Sequence, residues 1–405
     1  MDRKLIKILI MYLNKNNRIL NKTFYNTYEK YYKNLLNKKY PYLNYKNELG
    51  CHSYVIAHFI VYKIKIFKIK FNMDYTLFDI CNLINLKLEY CNIIIFPVEI
   101  CYLPKLQLLS LAKNKLKSID DDLCSLSNLV TLNLSNNKIS EISENISKLI
   151  NLKNLYLSNN KITTNYVKLL EYGNFDELDL SNNKLLYLVP NSLSKIKKLK
   201  LKYNLINDIP NKNTPYKLTY LNMSMGSLVE ISDNICSLSN LTYLNISYNI
   251  INKIPKNIST LINLEYFICN DNILTKIPNC LLKLTKLYEL NLSGNLINNI
   301  PYNISKLENL TIFNIRSNHL LDIPINISQL CKLEKLDISL NKIDKLPNDI
   351  TTLQKLNTLT INSTLIKHIP SGLNDRIEII THKNQIKNKD DLPKSVSFID
   401  NNKDQ

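Results

Sequence analysis

Apolar side chains recur along most of this chain in a single frame. Leu106, Leu109, Leu111 and Leu116 hold the first, fourth, sixth and eleventh places of a block whose ninth place is Asn114. Leu129, Leu132, Leu134, Asn137 and Ile139 repeat it 23 residues later. The frame restarts at Leu83, Leu106, Leu129, Leu152, Phe175, Ile196, Leu218, Leu241, Leu264, Leu287, Leu310, Leu333 and Leu356, which makes thirteen blocks over residues 83–378. Every step is 23 residues except 175 to 196, which is 21, and 196 to 218, which is 22. A fixed period of this length predicts a stacked array, because one such unit cannot bury its apolar face alone and its neighbours must do it.

Within a block the fourth and sixth places alternate with polar ones, so two side chains share one face of a short strand. The Asn at the ninth place can both donate to and accept from backbone groups of the turn that follows. The series Asn114, Asn137, Asn160, Asn183, Asn204, Asn249, Asn272, Asn295, Asn318 and Asn341 therefore reads as a structural ladder. Seven or more blocks continue with Ile-Pro or a close variant, as at Ile254-Pro255 and Ile300-Pro301. The proline is expected to end the strand, since it has no donor for the sheet. Apolar residues three apart, such as Ile258 and Leu261, then close the far side of the core.

These motifs resemble the leucine-rich repeat family, in the 23-residue form of Ras-suppressor and Scribble-like intracellular scaffolds. The resemblance covers almost three quarters of the chain. It implies an α/β solenoid, curved and right-handed, with parallel strands on the concave face and a role in holding partner proteins. Extracellular members usually carry cysteine-rich caps at both ends, and this chain has none.

The ends follow different patterns. Residues 60–82 are expected to cap the array, with Ile64, Ile66, Ile69 and Phe71 alternating with lysines as an amphipathic edge strand, and with Leu77 and Ile80 in a return segment. Residues 1–59 place Leu5, Ile6, Leu9, Ile10 and Leu13, then Ile19, Leu20, Phe24, Tyr28, Tyr31, Tyr32 and Leu35, at three- and four-residue spacing, which predicts a small helical module. Helices ahead of leucine-rich repeats are similar in layout to F-box adaptors, which would make a ubiquitin-ligase core a partner, although the usual Leu-Pro opening is missing. Residues 379–405 read as a degenerate C-terminal cap and polar tail. The middle is irregular. Asn165 replaces an expected Ile, Pro190, Pro210 and Pro215 crowd the turns, and Gly226 takes a ladder position.

Charge sharpens this division. The chain of 405 residues carries a formal net charge of +18, yet residues 1–72 hold 15 Lys/Arg against 3 Asp/Glu. The positive charge is thus mostly N-terminal, and with its interleaved tyrosines it raises nucleic acid or an anionic surface as an alternative partner. No nucleic-acid recognition motif accompanies it. Five scattered glycines exclude phosphate-cradling loops, and five histidines include no i, i+4 pair for a zinc enzyme. No catalytic, metal or cofactor residues emerge, and Cys91 and Cys269 read as ladder and core positions. Nine dispersed cysteines without a CxxC pair suggest reduced thiols and an intracellular, cytoplasmic protein. No transmembrane run is read. The Asn-x-Ser/Thr triplets at Asn133, Asn245, Asn291 and Asn303 read as by-products of the repeat.

The third, fifth, seventh and eighth places face the concave surface in this frame. Most are Ser and Asn and look generic. Three adjacent blocks, however, put Tyr220, Tyr243 and Tyr266 at the same third place, with Tyr248 nearby. Lys198, Lys200, Lys202 and Tyr203 stand in one neighbouring block and Glu177 and Asp179 in the next. Strands about 4.8 Å apart would line the phenols up, and such a Lys–Tyr patch fits an acidic segment of a partner protein.

Overall fold

The computed structural model describes residues 77–103, 105–163, 175–188, 195–209, 217–373, 377–382, 386–387 and 396–399, together with 68, 70, 71, 73 and 75. The expectations for 1–59, for Ile64, Ile66 and Ile69, and for Asn165, Pro190, Pro210 and Pro215 lie outside the described residues. The chain divides into two compact units, residues 1–174 and 175–405.

Unit 1 holds four described strands, β1 (Asn85–Lys87), β2 (Leu108–Ser110), β3 (Thr131–Asn133) and β4 (Asn154–Tyr156). They pair in parallel, each one step of the repeat from the last, so Leu86, Leu109, Leu132 and Leu155 lie side by side. All four are buried. Unit 2 holds β5 (Glu177–Asp179), β6 (Lys198–Lys200), β7 (Tyr220–Asn222), β8 (Tyr243–Asn245), β9 (Tyr266–Ile268), β10 (Glu289–Asn291), β11 (Ile312–Asn314), β12 (Lys335–Asp337), β13 (Thr358–Thr360), β14 (Glu378–His382) and β15 (Val396–Ile399). Its central column runs Leu178, Leu199, Leu221, Leu244, Phe267, Leu290, Phe313, Leu336, Leu359, Ile379 in register. The two shortened steps leave that register intact. Each unit is thus a leucine-rich-repeat stack, one coil per block.

Burial explains why the strands are so short. In most of the three-residue strands only the middle side chain is fully buried, while its neighbours face outward. The sixth place, Leu134 or Cys269 for example, turns inward again just past the strand. Burying one such Leu contributes about 1.5–3 kcal/mol, so the stack rather than the strand carries the stability.

A left-handed residue ends each strand, and the expected role for proline is corrected here. The eighth place has φ between 51° and 61° in all thirteen blocks, from Tyr90 and Lys113 through Gly294 to Ser363. The prolines lie further on. Pro255, Pro301, Pro324 and Pro347 are the N-cap residues of short 3₁₀ helices at Lys256–Thr260, Tyr302–Lys306, Ile325–Gln329 and Asn348–Thr352. Their fixed φ suits that entry, their missing N–H costs nothing there, and their carbonyls accept from the residue three ahead, as Ile258 N does to Pro255 O at 3.2 Å. Where proline is absent, Asp120, Ser143 and Ser232 hold the same place and cap with their side chains.

Both ends also depart from expectation. Lys68 and Lys70 lie in helical backbone and Phe71 in a turn, so no edge strand runs over them. Period-2 and helical spacings are hard to distinguish in so short an apolar run. A short helix, α1 (Leu77–Cys81), then buries Ile80 and Cys81 ahead of β1. In the C-terminal region read as a polar tail, β15 pairs in parallel with β14. The sequence Val-Ser-Phe-Ile has strand propensity, and the open edge of β14 offers it backbone partners.

Candidate protein-binding surface

The outward column at the third place is set by the sheet register. Tyr220, Tyr243 and Tyr266 are direct cross-strand neighbours on β7, β8 and β9. Their rings lie 4.3 Å apart and 6° from parallel for the first pair, and 5.9 Å apart and tilted by 37° for the second. Tyr288, just ahead of β10, extends the row at 5.5 Å from Tyr266. Each aromatic contact of this kind contributes about 0.5–1.5 kcal/mol beyond burial. Only Tyr220 and Tyr243 stack face to face, while Tyr266 and Tyr288 are tilted. Burial first, and then the neighbouring Tyr243, pushes the Tyr220 phenol above its ordinary pKa. Burial, Tyr288 and the carboxylates of Glu265 and Glu289 do the same to Tyr266. The Tyr220 hydroxyl is also hydrogen-bonded to Tyr243 and Asn222.

The lysines beside this row divide into matched and unmatched charges. Lys200 donates to Glu177 at 2.6 Å. Partial burial pulls its ammonium down, but the hydrogen bond and charge of Glu177 outweigh it and leave the pKa raised. Lys197 is similarly paired with Asp176 at 2.7 Å. Lys198, directly opposite Tyr220, is exposed and forms no ion pair among the described residues. Lys202 lies 5.3 Å from the Tyr203 ring centroid. Beside the row lies an open groove of about 500 Å³ lined by Lys197, Lys217, Lys286, Thr219, Thr242 and Glu265, where, with Lys197 matched by Asp176, Lys217 and Lys286 still outnumber the single carboxylate of Glu265.

Other sequence candidates are placed elsewhere. Tyr203 and Tyr248 sit at the left-handed turn that follows the strand, five places on from the position of the row. Tyr248 is hydrogen-bonded to Asp271, whose charge raises its phenol. Asp179 accepts from Ser181 N at 2.9 Å and so serves the local turn. The fifth and seventh places are less generic than their composition suggests. Asn222 and Asn245 each accept both the backbone N–H and the hydroxyl of the Ser two residues on, at 3.0 and 2.7 Å. Asn133 and Asn291 do the same. These carboxamides are committed to the turn.

The ladder Asn side chains all lie inside the stack. Asn272 is representative. Its Nδ2 donates to Ile246 O in the preceding coil and to Cys269 O and Asn270 O in its own, at 3.1–3.2 Å, while Oδ1 accepts from Ile251 N at 2.9 Å. Asn114, Asn137, Asn160, Asn249, Asn295, Asn318 and Asn341 repeat this set, and Asn183 and Asn204 occupy the same place. Cys91, at the ladder place of the first block, is exposed and donates to Glu89 O. Cys269 is fully buried, and burial pushes its thiol up, away from nucleophilic use.

One feature of unit 2 escaped the sequence reading. The tenth place is Lys in four successive blocks, at Lys115, Lys138, Lys161 and Lys184, but further along unit 2 Leu205 holds it and, past Ser227, so do Ile250, Ile273 and Leu296 in three successive blocks, each of the four between 43% and 55% exposed. This column was legible, since an apolar residue where the repeat otherwise solvates itself is a local signal. Among the described residues no group of three or more His, Cys, Asp or Glu could hold a metal ion, and no helix is long and apolar enough to cross a membrane.

Family models described as leucine rich repeat match residues 104–162, and again 174–196 and 240–261. No curated protein matches the chain. Solved structures do. A leucine-rich-repeat protein of Leptospira interrogans is 29% identical over 71% of this chain and 81% of that one, with a TM-score of 0.61. A TDR receptor is 26% identical over 76% of this chain, with a TM-score of 0.62; the match spans 56% of the receptor chain. An internalin of Listeria monocytogenes shares the fold at 22% identity over 84% of this chain and 95% of that one, with a TM-score of 0.60.

Proposed function

This chain is built of leucine-rich repeats, and from that premise we propose that it is a non-enzymatic scaffold that binds a partner protein on the open sheet face of unit 2. The observation that carries the reading is the row Tyr220–Tyr243–Tyr266–Tyr288, four phenols in mutual contact beside a groove with an excess of lysine. Tyrosine offers apolar area and a hydrogen-bonding tip at low entropic cost, and it is enriched where binding energy concentrates. Lys198 and Lys217 lack a carboxylate partner among the described residues, so a partner segment bearing Asp or Glu supplies the missing charge. The aliphatic column Leu205, Ile250, Ile273 and Leu296 adds contact area on the flank beyond the turn. By contrast, the Asn–Ser pairs between the two have already used their acceptors.

Affinity purification with the full chain tests this. Tyr243→Ala/Tyr266→Ala should lower recovery of the partner at least about tenfold, the effect of losing two anchors worth roughly 1 kcal/mol or more each, with the array still folded at the assay temperature although the lost ring contacts lower its melting temperature. Lys198→Glu/Lys217→Glu should weaken the same interaction, and raised salt should weaken the wild type, since exposed charges are screened. Unchanged recovery with a stable tyrosine variant would overturn the assignment of this face.

A further inference from the structure

The first complete coil carries an apolar groove that the repeat does not require. Ile94 is 59% and Ile95 80% exposed. With Val98 and Ile119 they line a depression of about 760 Å³, whose other rim is formed by Asp120 and Asp121. In the next two coils the places of Ile94 and Ile95 are Lys117-Ser118 and Ser140-Glu141, so solvated residues are this unit's norm there. Burial and the adjacent charges of Asp120 and Asp121 hold the Asp122 carboxyl above its ordinary pKa. Lys117 also lines the groove, but one lysine only partly offsets Asp120, Asp121 and Asp122, so the rim keeps a net negative charge.

We propose that the groove is the docking site of this chain's own N-terminal segment, residues 4–18. Three arguments select that occupant. Leu5, Ile6, Leu9, Ile10 and Leu13 make one apolar stripe at helical spacing, which supplies the area that Ile94 and Ile95 lack. Lys4, Lys7, Lys15 and Arg18, with no acidic residue among 4–18, supply the charge that Asp120 and Asp121 attract. Finally, the segment is tethered to this end of the array, since the chain from residue 1 enters the stack through α1 and β1, a few residues ahead of Ile94. Tethering replaces a bimolecular encounter by an effective concentration of order millimolar, so even a weak site is occupied.

Hydrogen exchange on the full chain decides it. In the wild type, amides of residues 5–13 should exchange at least about tenfold more slowly than in a free peptide of the same sequence, at a rate independent of protein dilution. Ile94→Asp/Ile95→Asp should abolish that protection while the amides of Leu109, Leu132 and Leu155 stay protected, which checks the fold. The reciprocal variant Leu5→Asp/Leu9→Asp should accelerate exchange in the 93–96 and 117–121 loops and keeps the test open if the first variant folds poorly. Free-peptide exchange of residues 5–13 in the wild type, or protection unchanged in both variants, would overturn the proposal. Protection lost on dilution would also overturn it, because a second copy would then be the occupant.

Discussion

At the scale of single residues, one backbone conformation sets the geometry of all thirteen coils and one side chain that of ten of them. The left-handed residue at the eighth place turns the chain out of the strand and aims its own N–H along the stack. Tyr248 N thereby donates to Asn270 O, and Asp271 N to Ser293 O, at 2.8–2.9 Å. For a residue with a Cβ this conformation costs roughly 1–2 kcal/mol. Asn136, Asn159, Asn182 and Gly294 suit it, whereas Met225 and Leu340 do not, and there the stack must hold the conformation in place. The ladder Asn is the matching side chain. Replacing Asn272 by Ala leaves Ile251 N without its acceptor in the middle of the stack, while Ile246 O keeps its bond from Asn249 Nδ2. Each buried group left unpaired costs about 1–3 kcal/mol. Asn272→Ala should therefore lower unfolding free energy by about 1–3 kcal/mol, read from urea denaturation. The need for this Asn was legible in the sequence. The left-handed place before it was not, because eight of its thirteen occupants are neither Asn, Asp nor Gly and only the common φ reveals the constraint.

At the scale of elements, different residues perform one task in different coils. Proline, aspartate and serine all start the 3₁₀ return helix, proline by its preset φ and the others by a side-chain acceptor. Proline's place along the chain is legible in the sequence, but a missing N–H suits both a strand end and a helix start, so only the structure assigns it to the helix. The ladder itself has a gap at Gly226. Its neighbours Leu185 N and Leu228 N donate to Asn204 and Asn249, but Gly226 offers no acceptor to Ile206. A Cβ added there would lie 3.0 Å from Asn249 Oδ1, so the end of that side chain would have to yield by a few tenths of an ångström. Gly226→Asn should complete the ladder and shed glycine's excess freedom in the unfolded chain. It should raise stability by about 1–2 kcal/mol. A lower melting temperature in the variant would mean that the close contact with Asn249 wins.

At the scale of the whole molecule, stability is shared only between adjacent coils. Phe267 and Phe313 are the largest fully buried side chains, in a column where most members are Leu. Phe267→Ala should cost about 3–5 kcal/mol. Because each coil contacts its neighbours alone, the loss should appear as faster hydrogen exchange in β8, β9 and β10, with β13 much less affected. Uniform acceleration throughout unit 2 would show instead that the array unfolds as one cooperative block. The net charge also belongs to this scale. The excess of Lys and Arg before residue 73 contrasts with a nearly balanced array, so a surface property of the N-terminal region had looked like a property of the molecule.

The repeat period, the core columns, the buried Asn ladder and the alignment of the three tyrosines are all legible in the residues. A parallel in-register stack turns equal places in sequence into neighbours in space, so periodicity alone carries that information. Tertiary packing decided the rest. Cross-coil hydrogen bonds select left-handed turns for side chains that do not favour them, and ring packing brings Tyr288 into the row from a different place in its block. Lys200 is neutralised by Glu177 while Lys198 has no ion-pair partner among the described residues. These outcomes depend on which side chains fill the space between coils, and a one-dimensional pattern does not specify that.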